Sequence, residues 1–415
     1  MSSKLTPLLA AAAVMGLGLA GPAQAADSIP VGHLSAFTGP TSDVGVPYGN
    51  AIDDAVAYIN AHGGINGKKI DMPSEDYGYE IPRSVAHYKR WQSSLKPVLI
   101  QGWGTSDTEA LTPFVTKDGI VFFSASYSGH LTDPTGKAPR SKAATPYNFF
   151  VGATYSDACR AQASWAMKDW KASGKEGKPK WVHMGANHPY PNAPKEACTE
   201  WAEEIGFDVL PPIVYPLAPA DFKSQCLALK DAGVNYAYLG NTAASNVSMI
   251  KSCKTVGTDV QFVTNYWGFD EPSAEAAGAD GDGIVVPAMA AWTSDAPGMK
   301  TVHEVSKMSD PEGKKARALP YIRGVCSAFV MRDAMLLADK SGEVTSQSIK
   351  AALETMTEHV PAELQGVCPP VTWTPTDHRA TTQVTMYRNN WNNGNPQFEM
   401  LDIEQLPRGE EYLGW

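Results

Sequence analysis

The stretch Ile59-Asn60-Ala61-His62-Gly63-Gly64-Ile65-Asn66-Gly67-Lys68-Lys69 is the most informative part of the chain. Its first four residues are the end of a segment, Tyr48–His62, whose apolar residues recur at the spacing of one helix face. Glycine adopts the left-handed conformation that closes a helix without steric cost, so Gly63-Gly64 marks the helix end. The sequence therefore predicts a helix that packs along one side and stops at a glycine turn.

Short apolar runs bounded by turn residues lie on both sides of this helix. Most are continuous rather than alternating, which is typical of strands buried on both faces of a parallel sheet. Further helical patterns separate them, at Lys195–Gly206 and from Ile322 to about Asp339. The alternation predicts an α/β protein with two doubly wound lobes. The predicted strands are Ile29–Leu34, Pro97–Gln101, Ile120–Ser124, Trp181–Gly185, Ile213–Tyr215, Tyr236–Gly240, Gln261–Thr264 and Gly283–Met289.

The strand–helix rhythm stops after Ala290, and the rest of the chain is expected to complete both lobes. It contains a long helix, a proline-rich stretch from Pro361 to Pro375 and a β-like run, Gln383–Tyr387. We expect one lobe from residues 26–150 with 290–375, and the other from residues 151–289 with 376–415.

The N-terminus has the features of a secretory signal peptide. Lys4 precedes an apolar run from Leu8 to Leu19, and small residues in Gly21–Ala25 provide a cleavage site after Ala25. The run has about 12 residues, fewer than the ~20 that span a bilayer. Residues 1–25 are therefore expected to be removed, which leaves a soluble protein in the periplasm with no direct membrane insertion.

Six cysteines in an exported chain favour disulfide bonds. Six cysteines allow 15 pairings, among which the sequence does not choose, and buried free thiols are the alternative. We expect neighbours in the sequence to pair. The expected pairs are Cys159–Cys198, Cys226–Cys253 and Cys326–Cys368.

Charge and motifs exclude several function classes. The formal net charge is −10 and no dense basic run occurs, so nucleic acid is not an expected partner. No C-x-x-C or H-E-x-x-H spacing suggests a metal, and no G-x-x-x-x-G-K-[ST] or G-x-S-x-G motif suggests an enzyme. We therefore expect no catalytic residues, no metal and no cofactor.

The chain resembles the periplasmic binding proteins of the leucine/isoleucine/valine type. The Ile59–Lys69 stretch is similar to that family's "INAxGGINGKKI" segment, and Ile29–Pro40, Gly102–Thr108, Gly119–Ser126 and Tyr236–Gly240 continue the resemblance. The resemblance implies two Rossmann-like lobes joined by three crossovers, with a ligand cleft that closes by a hinge. It also implies a small-molecule ligand and an ABC permease with ATPase subunits as partners. We expect a monomer.

Candidate ligand-binding residues lie in loops that follow predicted strands, where ligands bind in open α/β sheets. The resemblance implies that hydroxyls and backbone N–H groups of two loops hold a ligand carboxylate, and that a tyrosine of the second lobe packs on the ligand. Short hydroxyl residues at a helix start suit an anion, although they also simply cap helices. The candidates are Trp103, Thr105, Ser106, Ala125, Ser126, Tyr127, Tyr190, Thr242, Tyr266 and Trp267.

One departure from the family concerns the ligand. Amino-acid-binding relatives place a glutamate near Tyr266 or Trp267 to pair with the ligand's ammonium group, and here the place is aromatic. A desolvated ammonium without a carboxylate partner costs several kcal/mol. Asp107, Asp270 and Glu271 are the nearest acids that could replace it. The sequence favours a small carboxylate with an apolar or aromatic body and no α-ammonium.

Two alternatives stay open. The first is a branched-chain amino-acid binding protein of the same transporter type. The second is a sensory module that hands its ligand-bound state to a receptor, since one fold serves both roles.

Overall fold

The computed structural model describes Met1, residues 28–288 and residues 294–415. The predicted signal peptide, apart from Met1, and residues 289–293 lie outside the described residues. The strands are β1 Ile29–Ser35, β2 Ile70–Asp71, β3 Ser74–Asp76, β4 Leu99–Gln101, β5 Val121–Phe123, β6 Asn148–Phe149, β7 Lys180–Gly185, β8 Asp208–Val214, β9 Tyr236–Leu239, β10 Gln261–Thr264, β11 Val285–Pro287, β12 Gln383–Asn392 and β13 Asn395–Gln405. The helices are α1 Ser42–Ala61, α2 Ile81–Ser94, α3 Thr105–Asp118, α4 Tyr155–Ala172, α5 Pro189–Asn192, α6 Lys195–Glu204, α7 Lys223–Ala232, α8 Ala243–Thr255, α9 Glu271–Ala277, α10 Met299–Ser306, α11 Leu319–Lys340 and α12 Ser346–Leu353.

The first sheet is parallel and carries the first lobe. Its order is β2-β1-β4-β5-β6, with β3 also paired to β1. Strands β4 and β5 are buried along their whole length, as their continuous apolar sequences predict.

The second sheet is mixed and carries the second lobe. Its order is β13-β12-β11-β10-β9-β7-β8, parallel from β11 to β8 and antiparallel at β11–β12 and β12–β13. The β-like run predicted at Gln383–Tyr387 is therefore the start of a longer hairpin. Edge strand β8 is also longer than the predicted Ile213–Tyr215.

The order of elements takes the chain from one lobe to the other three times. It leaves the first sheet after β6, returns after β11 to helix α11, and leaves again before β12. Helix α11 packs on α1, and every residue from Leu319 to Met331 is buried. At Gly324 a Cβ would lie 2.7 Å from the backbone oxygen of Tyr48, so only glycine permits this close approach of the two helices. Elements separated in sequence thus complete the first lobe, although the predicted domain boundaries themselves stay a prediction.

Three disulfide bonds join the pairs expected from the sequence. They are Cys159–Cys198, Cys226–Cys253 and Cys326–Cys368, with Cα–Cα distances of 5.6, 4.9 and 5.6 Å. The alternative of buried free thiols does not describe this structure, because its cysteines are all paired.

In the described part of the chain, the helices lack the combination of length and apolar character that crossing a bilayer requires.

Candidate functional site

The loops at the carboxyl ends of the strands meet at a small cavity between the two lobes, which we call the cleft cavity. The first lobe contributes residues that follow β1, β3, β4 and β5, the second lobe contributes residues that follow β7, β9 and β10, and Tyr155 begins α4 after β6. The lining residues are Thr41, Tyr79, Trp103, Gly104, Thr105, Ala125, Tyr155, Tyr190, Thr242 and Trp267.

Helix α3 points its N-terminus at this cavity. Gly104 is the N-cap residue, and a Cβ there would collide with the ring of Tyr79 and a carboxylate oxygen of Asp107. Glycine is therefore required for the backbone to approach so closely. The hydroxyl of Ser126 donates to Thr105 Oγ1 over 2.9 Å, which ties the loop after β5 to the start of α3. Backbone N–H groups and hydroxyls are thus gathered where a carboxylate is favoured by the helix dipole.

Asp107 stands in the first turn of α3 but does not line the cavity. Its side chain is buried, and its Oδ1 accepts a hydrogen bond from the Tyr77 hydroxyl over 2.7 Å. Burial raises the pKa of Asp107 to about 7, against the opposing effect of the Tyr77 hydrogen bond. A largely neutral Asp107 below that pH leaves the helix N-terminus free to attract an anion.

Trp267 fills the centre of the cleft. Its indole stacks on Tyr127, with ring centroids 5.5 Å apart and planes inclined by 10°, and lies edge-to-face against Trp103 at 4.8 Å. A third ring, Tyr48, completes the box at 5.6 Å. The indole Nε1 donates to the Tyr155 hydroxyl over 2.9 Å. These aromatic contacts therefore hold the Trp267 indole in the cleft.

Two more tyrosines border the cavity. The Tyr190 hydroxyl donates to Asn265 Oδ1 over 2.8 Å, and the same oxygen accepts from the backbone N–H of Trp267 over 2.7 Å. Tyr79 has a left-handed backbone with φ of 63°, a conformation that is strained for a bulky residue by about 1–3 kcal/mol. Such strain is characteristic of functional positions, because packing elsewhere must maintain it.

A hydrogen bond outside the cleft cavity joins the two lobes, and we call it the clasp. Asp43 in α1 accepts from the backbone N–H of Ala244 over 2.8 Å, at the N-terminus of α8 in the second lobe. The carboxylate therefore complements both a free N–H group and the positive end of that helix.

The cleft cavity is small, at about 10 Å³. A single water needs about 10–15 Å³ by the same kind of measure, so the aromatic side chains leave almost no room. Any larger ligand requires the lobes to separate or Trp267 to move.

Six of the predicted residues line the cleft cavity, and four do not. Trp103, Thr105, Ala125, Tyr190, Thr242 and Trp267 line it, whereas Tyr127 and Tyr266 line a separate cavity. Ser106 and Ser126 are buried beside the start of α3. Sequence reasoning missed Thr41, Tyr79, Gly104 and Tyr155. Tyr79 and Tyr155 follow the short strands β3 and β6, which were not predicted, so the sequence offered no signal for them.

Comparisons with known proteins agree with this architecture. A family model described as "Periplasmic binding protein" matches residues 28–395. No curated protein matches the chain at a significant level. An ABC transporter substrate-binding protein from Aeropyrum pernix is similar in structure, with a TM-score of 0.81 and 25% identity over 94% of this chain and 98% of that chain.

Two solved structures with ligands are also similar in fold. A branched-chain amino acid ABC transporter protein from Thermus thermophilus with bound valine has a TM-score of 0.80 at 19% identity, covering 92% of this chain and 97% of that chain. An R. palustris solute-binding protein in complex with 4-hydroxybenzoate has a TM-score of 0.73 at 18% identity, covering 91% and 97%. The chain thus belongs to the periplasmic binding protein family and has the two-lobed fold of type I ABC substrate-binding proteins.

Proposed function

We propose that this protein is the extracytoplasmic solute-binding subunit of an ABC importer and captures a small carboxylate without an α-ammonium group. Family membership implies a small-molecule ligand, permease and ATPase partners and a periplasmic location. The ligand class, cleavage after Ala25, a monomeric state and the lack of enzymatic activity are the finer parts of the proposal.

The chemistry of the cleft lining carries the proposal. Among the described residues that line the cleft cavity, none has a carboxylate side chain. An α-ammonium group enclosed there would lose its hydration without gaining an anionic partner, which costs several kcal/mol. An acid without that group avoids the penalty.

The three nearby acids have structural partners instead. Asp270 caps helix α9 and accepts from the backbone N–H of Ser273 over 3.0 Å. Glu271 accepts from the backbone N–H of Leu319 over 3.0 Å, and Asp107 is bonded to Tyr77. Because these three carboxyl groups already accept other hydrogen bonds, it is less favourable for any of them to pair with a ligand's ammonium group.

The aromatic box supports a flat or apolar ligand body. Tyr127 and Trp103 hold the Trp267 indole by stacking and edge contacts, and aromatic pairs of this kind are worth about 0.5–1.5 kcal/mol beyond their buried area. Valine and 4-hydroxybenzoate, found in two structures of the same fold, both carry a carboxylate, and only valine carries an ammonium.

A thermal-shift panel tests the ligand class. Benzoate-like acids and leucine are compared at increasing concentration, since a ligand at 100 times its Kd adds about 2.7 kcal/mol of stability. We expect the acids to raise the melting temperature and leucine to have no effect. Stabilisation by leucine alone would overturn the proposed ligand class and favour branched-chain amino-acid binding.

A matched pair of variants tests the site. Thr105→Val removes the hydroxyl at the start of α3 with little change in shape, and should weaken acid binding by about 10-fold. Thr116→Val makes the same change near the other end of α3, away from the cleft cavity, and should leave binding unchanged. Equal affinities in the two variants would contradict the proposed carboxylate position.

A further inference from the structure

A second, larger cavity lies where the lobes are joined, and we call it the hinge cavity. Its volume is about 260 Å³, and its lining shares no described residue with that of the cleft cavity. Gly152 lies in the first inter-lobe connection, Ala288 at the start of the second, and Thr381 in the third. All three inter-lobe connections therefore contribute residues to the lining of the hinge cavity.

Arg323 gives the hinge cavity a buried positive charge. This residue of α11 is 1% exposed and lines the cavity. Its guanidinium donates to the backbone oxygens of Tyr266 and Pro287, and its Nε–H has no hydrogen-bond partner. A guanidinium stays protonated in proteins, so the charge persists at any ordinary pH.

Within the described part of the chain, no carboxylate forms an ion pair with Arg323, although the more distant Asp270 attracts it and, against the larger lowering effect of burial, acts to raise the pKa of the guanidinium. The ion pairs found there, which reach to 4.0 Å, do not include Arg323. Its nearest aromatic partners are the rings of Tyr266 and Trp267, at 5.1 and 5.0 Å from the guanidinium carbon. Because a buried guanidinium without a carboxylate in direct contact and with an unsatisfied Nε–H is costly, the site favours an anion that supplies a negative charge and an acceptor.

The rest of the lining defines what kind of anion fits. Val151, Val367 and Pro370 are apolar, and the exposed side chains of Met400 and Ile403 stand at the rim, where a solute can enter. A purely hydrophilic anion would gain no favourable contact with these apolar side chains. A carboxylate attached to a compact apolar body matches both parts of the lining.

We propose that the hinge cavity binds a small organic carboxylate through Arg323 and that this binding stabilises the closed arrangement of the lobes. The cavity walls come from all three connections, so their relative positions define its shape. A solute that fits this shape binds the closed arrangement better than an open one, and shifts the population accordingly. This regulatory site goes beyond the cleft cavity and its proposed ligand.

A brominated acid locates the site directly. Crystals of the full chain are soaked with 4-bromobenzoate, and anomalous scattering gives the position of bromine. We expect bromine in the hinge cavity with the carboxylate toward Arg323. Bromine in the cleft cavity alone, or in neither cavity, would overturn the inference.

Affinity measurements test the role of the charge. In calorimetry, Arg323→Gln should weaken hinge binding of 4-bromobenzoate by about 10- to 100-fold, and uncharged 4-bromobenzamide should bind the wild type similarly weakly. Thr385→Trp fills the cavity from a half-buried strand position and provides a second test if Arg323→Gln does not fold. Gln397→Trp on neighbouring β13 is the control and should bind as the wild type does. Unchanged binding in Thr385→Trp would overturn the proposal.

Two further readouts separate this site from the cleft. Thr105→Val should weaken cleft binding and leave hinge binding unchanged, so failure of one proposal does not imply failure of the other. At a 4-bromobenzoate concentration that fills the hinge cavity but not the weakened cleft, small-angle scattering should show a smaller radius of gyration for Thr105→Val than for the double variant Thr105→Val/Thr385→Trp. Hinge binding without any compaction would overturn the coupling to lobe closure.

Discussion

The indole of Trp267, from the second lobe, stacks on the phenol of Tyr127, from the first, with their planes inclined by 10°. The two residues are 140 positions apart in the sequence, and their contact joins the two lobes. The pair therefore links the stability of the closed arrangement to one side chain.

Removing the indole should destabilise the protein. Trp267→Ala deletes a ring that is 3% exposed, and core Trp-to-Ala changes cost about 3–5 kcal/mol in the free energy of unfolding. Urea denaturation measures the loss. Trp170→Ala removes a half-buried indole from α4 and should cost clearly less. Equal losses would mean that the contacts of Trp267 are not formed in solution.

The clasp between Asp43 and Ala244 should contribute to ligand affinity. Asp43→Ala removes the acceptor for a helix N-terminal N–H group, an interaction worth about 0.5–2 kcal/mol. Because the bond joins the two lobes and we propose that ligand binding closes them, we expect a loss of affinity of about 2- to 30-fold in calorimetry. Asp71→Ala, an exposed acid of the first lobe, is the control. An unchanged affinity in Asp43→Ala would exclude a role for the clasp in closure.

The contribution of Asp107 to the free energy of unfolding should decrease as pH rises, which is the opposite of the usual behaviour of a carboxyl group in a folded protein. Its pKa is about 7 in the folded protein and about 3.9 in an unfolded chain, so the folded state binds more protons between these values. Its contribution to stability therefore falls as pH rises from about 4 to 7 and stays low above that range.

The Asp107→Asn variant isolates this effect. The unfolding free energy of the wild type minus that of Asp107→Asn should fall by on the order of 4 kcal/mol between pH 4 and pH 8. A flat difference for Asp107→Asn would contradict the raised pKa.

The Cys226–Cys253 bond should stabilise the second lobe. It closes a loop with a sequence separation of 27, for which chain entropy gives about 3.5 kcal/mol. Replacing both cysteines by alanine should lower the unfolding free energy by an amount of that order. The control compares the double variant with the wild type in a reductant, which breaks the disulfide bonds of both proteins. Without the reductant, both proteins keep the other two bonds, so their difference in stability reports on Cys226–Cys253. A double variant as stable as the oxidised wild type would contradict the expectation.

Much of the fold could be predicted because burial leaves a direct mark on sequence. Strand β9, Tyr236–Leu239, is buried at every position and its sequence is continuously apolar. Edge strand β8 was underestimated because Pro211 and Pro212 and mostly exposed side chains obscure its pattern. The hairpin β12–β13 was only half predicted, since β13 is exposed along much of its length.

The cleft was less predictable because it depends on distant residues. Thr105 and Trp103 follow a buried strand, a position from which a cleft location can be inferred. Thr41 also follows a predicted strand, β1, but nothing singled it out within its loop, whereas Tyr79 follows β3, a three-residue strand that was not predicted. The buried charge of Arg323 was also unpredictable, because the helical pattern around it reads as core.

The three disulfides have a consequence for how the molecule moves. Cys159–Cys198 joins α4 to α6 and Cys226–Cys253 joins α7 to α8, all beside the second sheet, while Cys326–Cys368 anchors the loop after α12 to α11 beside the first. Each lobe is thus covalently stiffened, but the described bonds leave the lobes free to swing. Disulfide formation should therefore make each lobe more rigid without fixing the angle between the lobes. Bound solutes are then left to determine that angle.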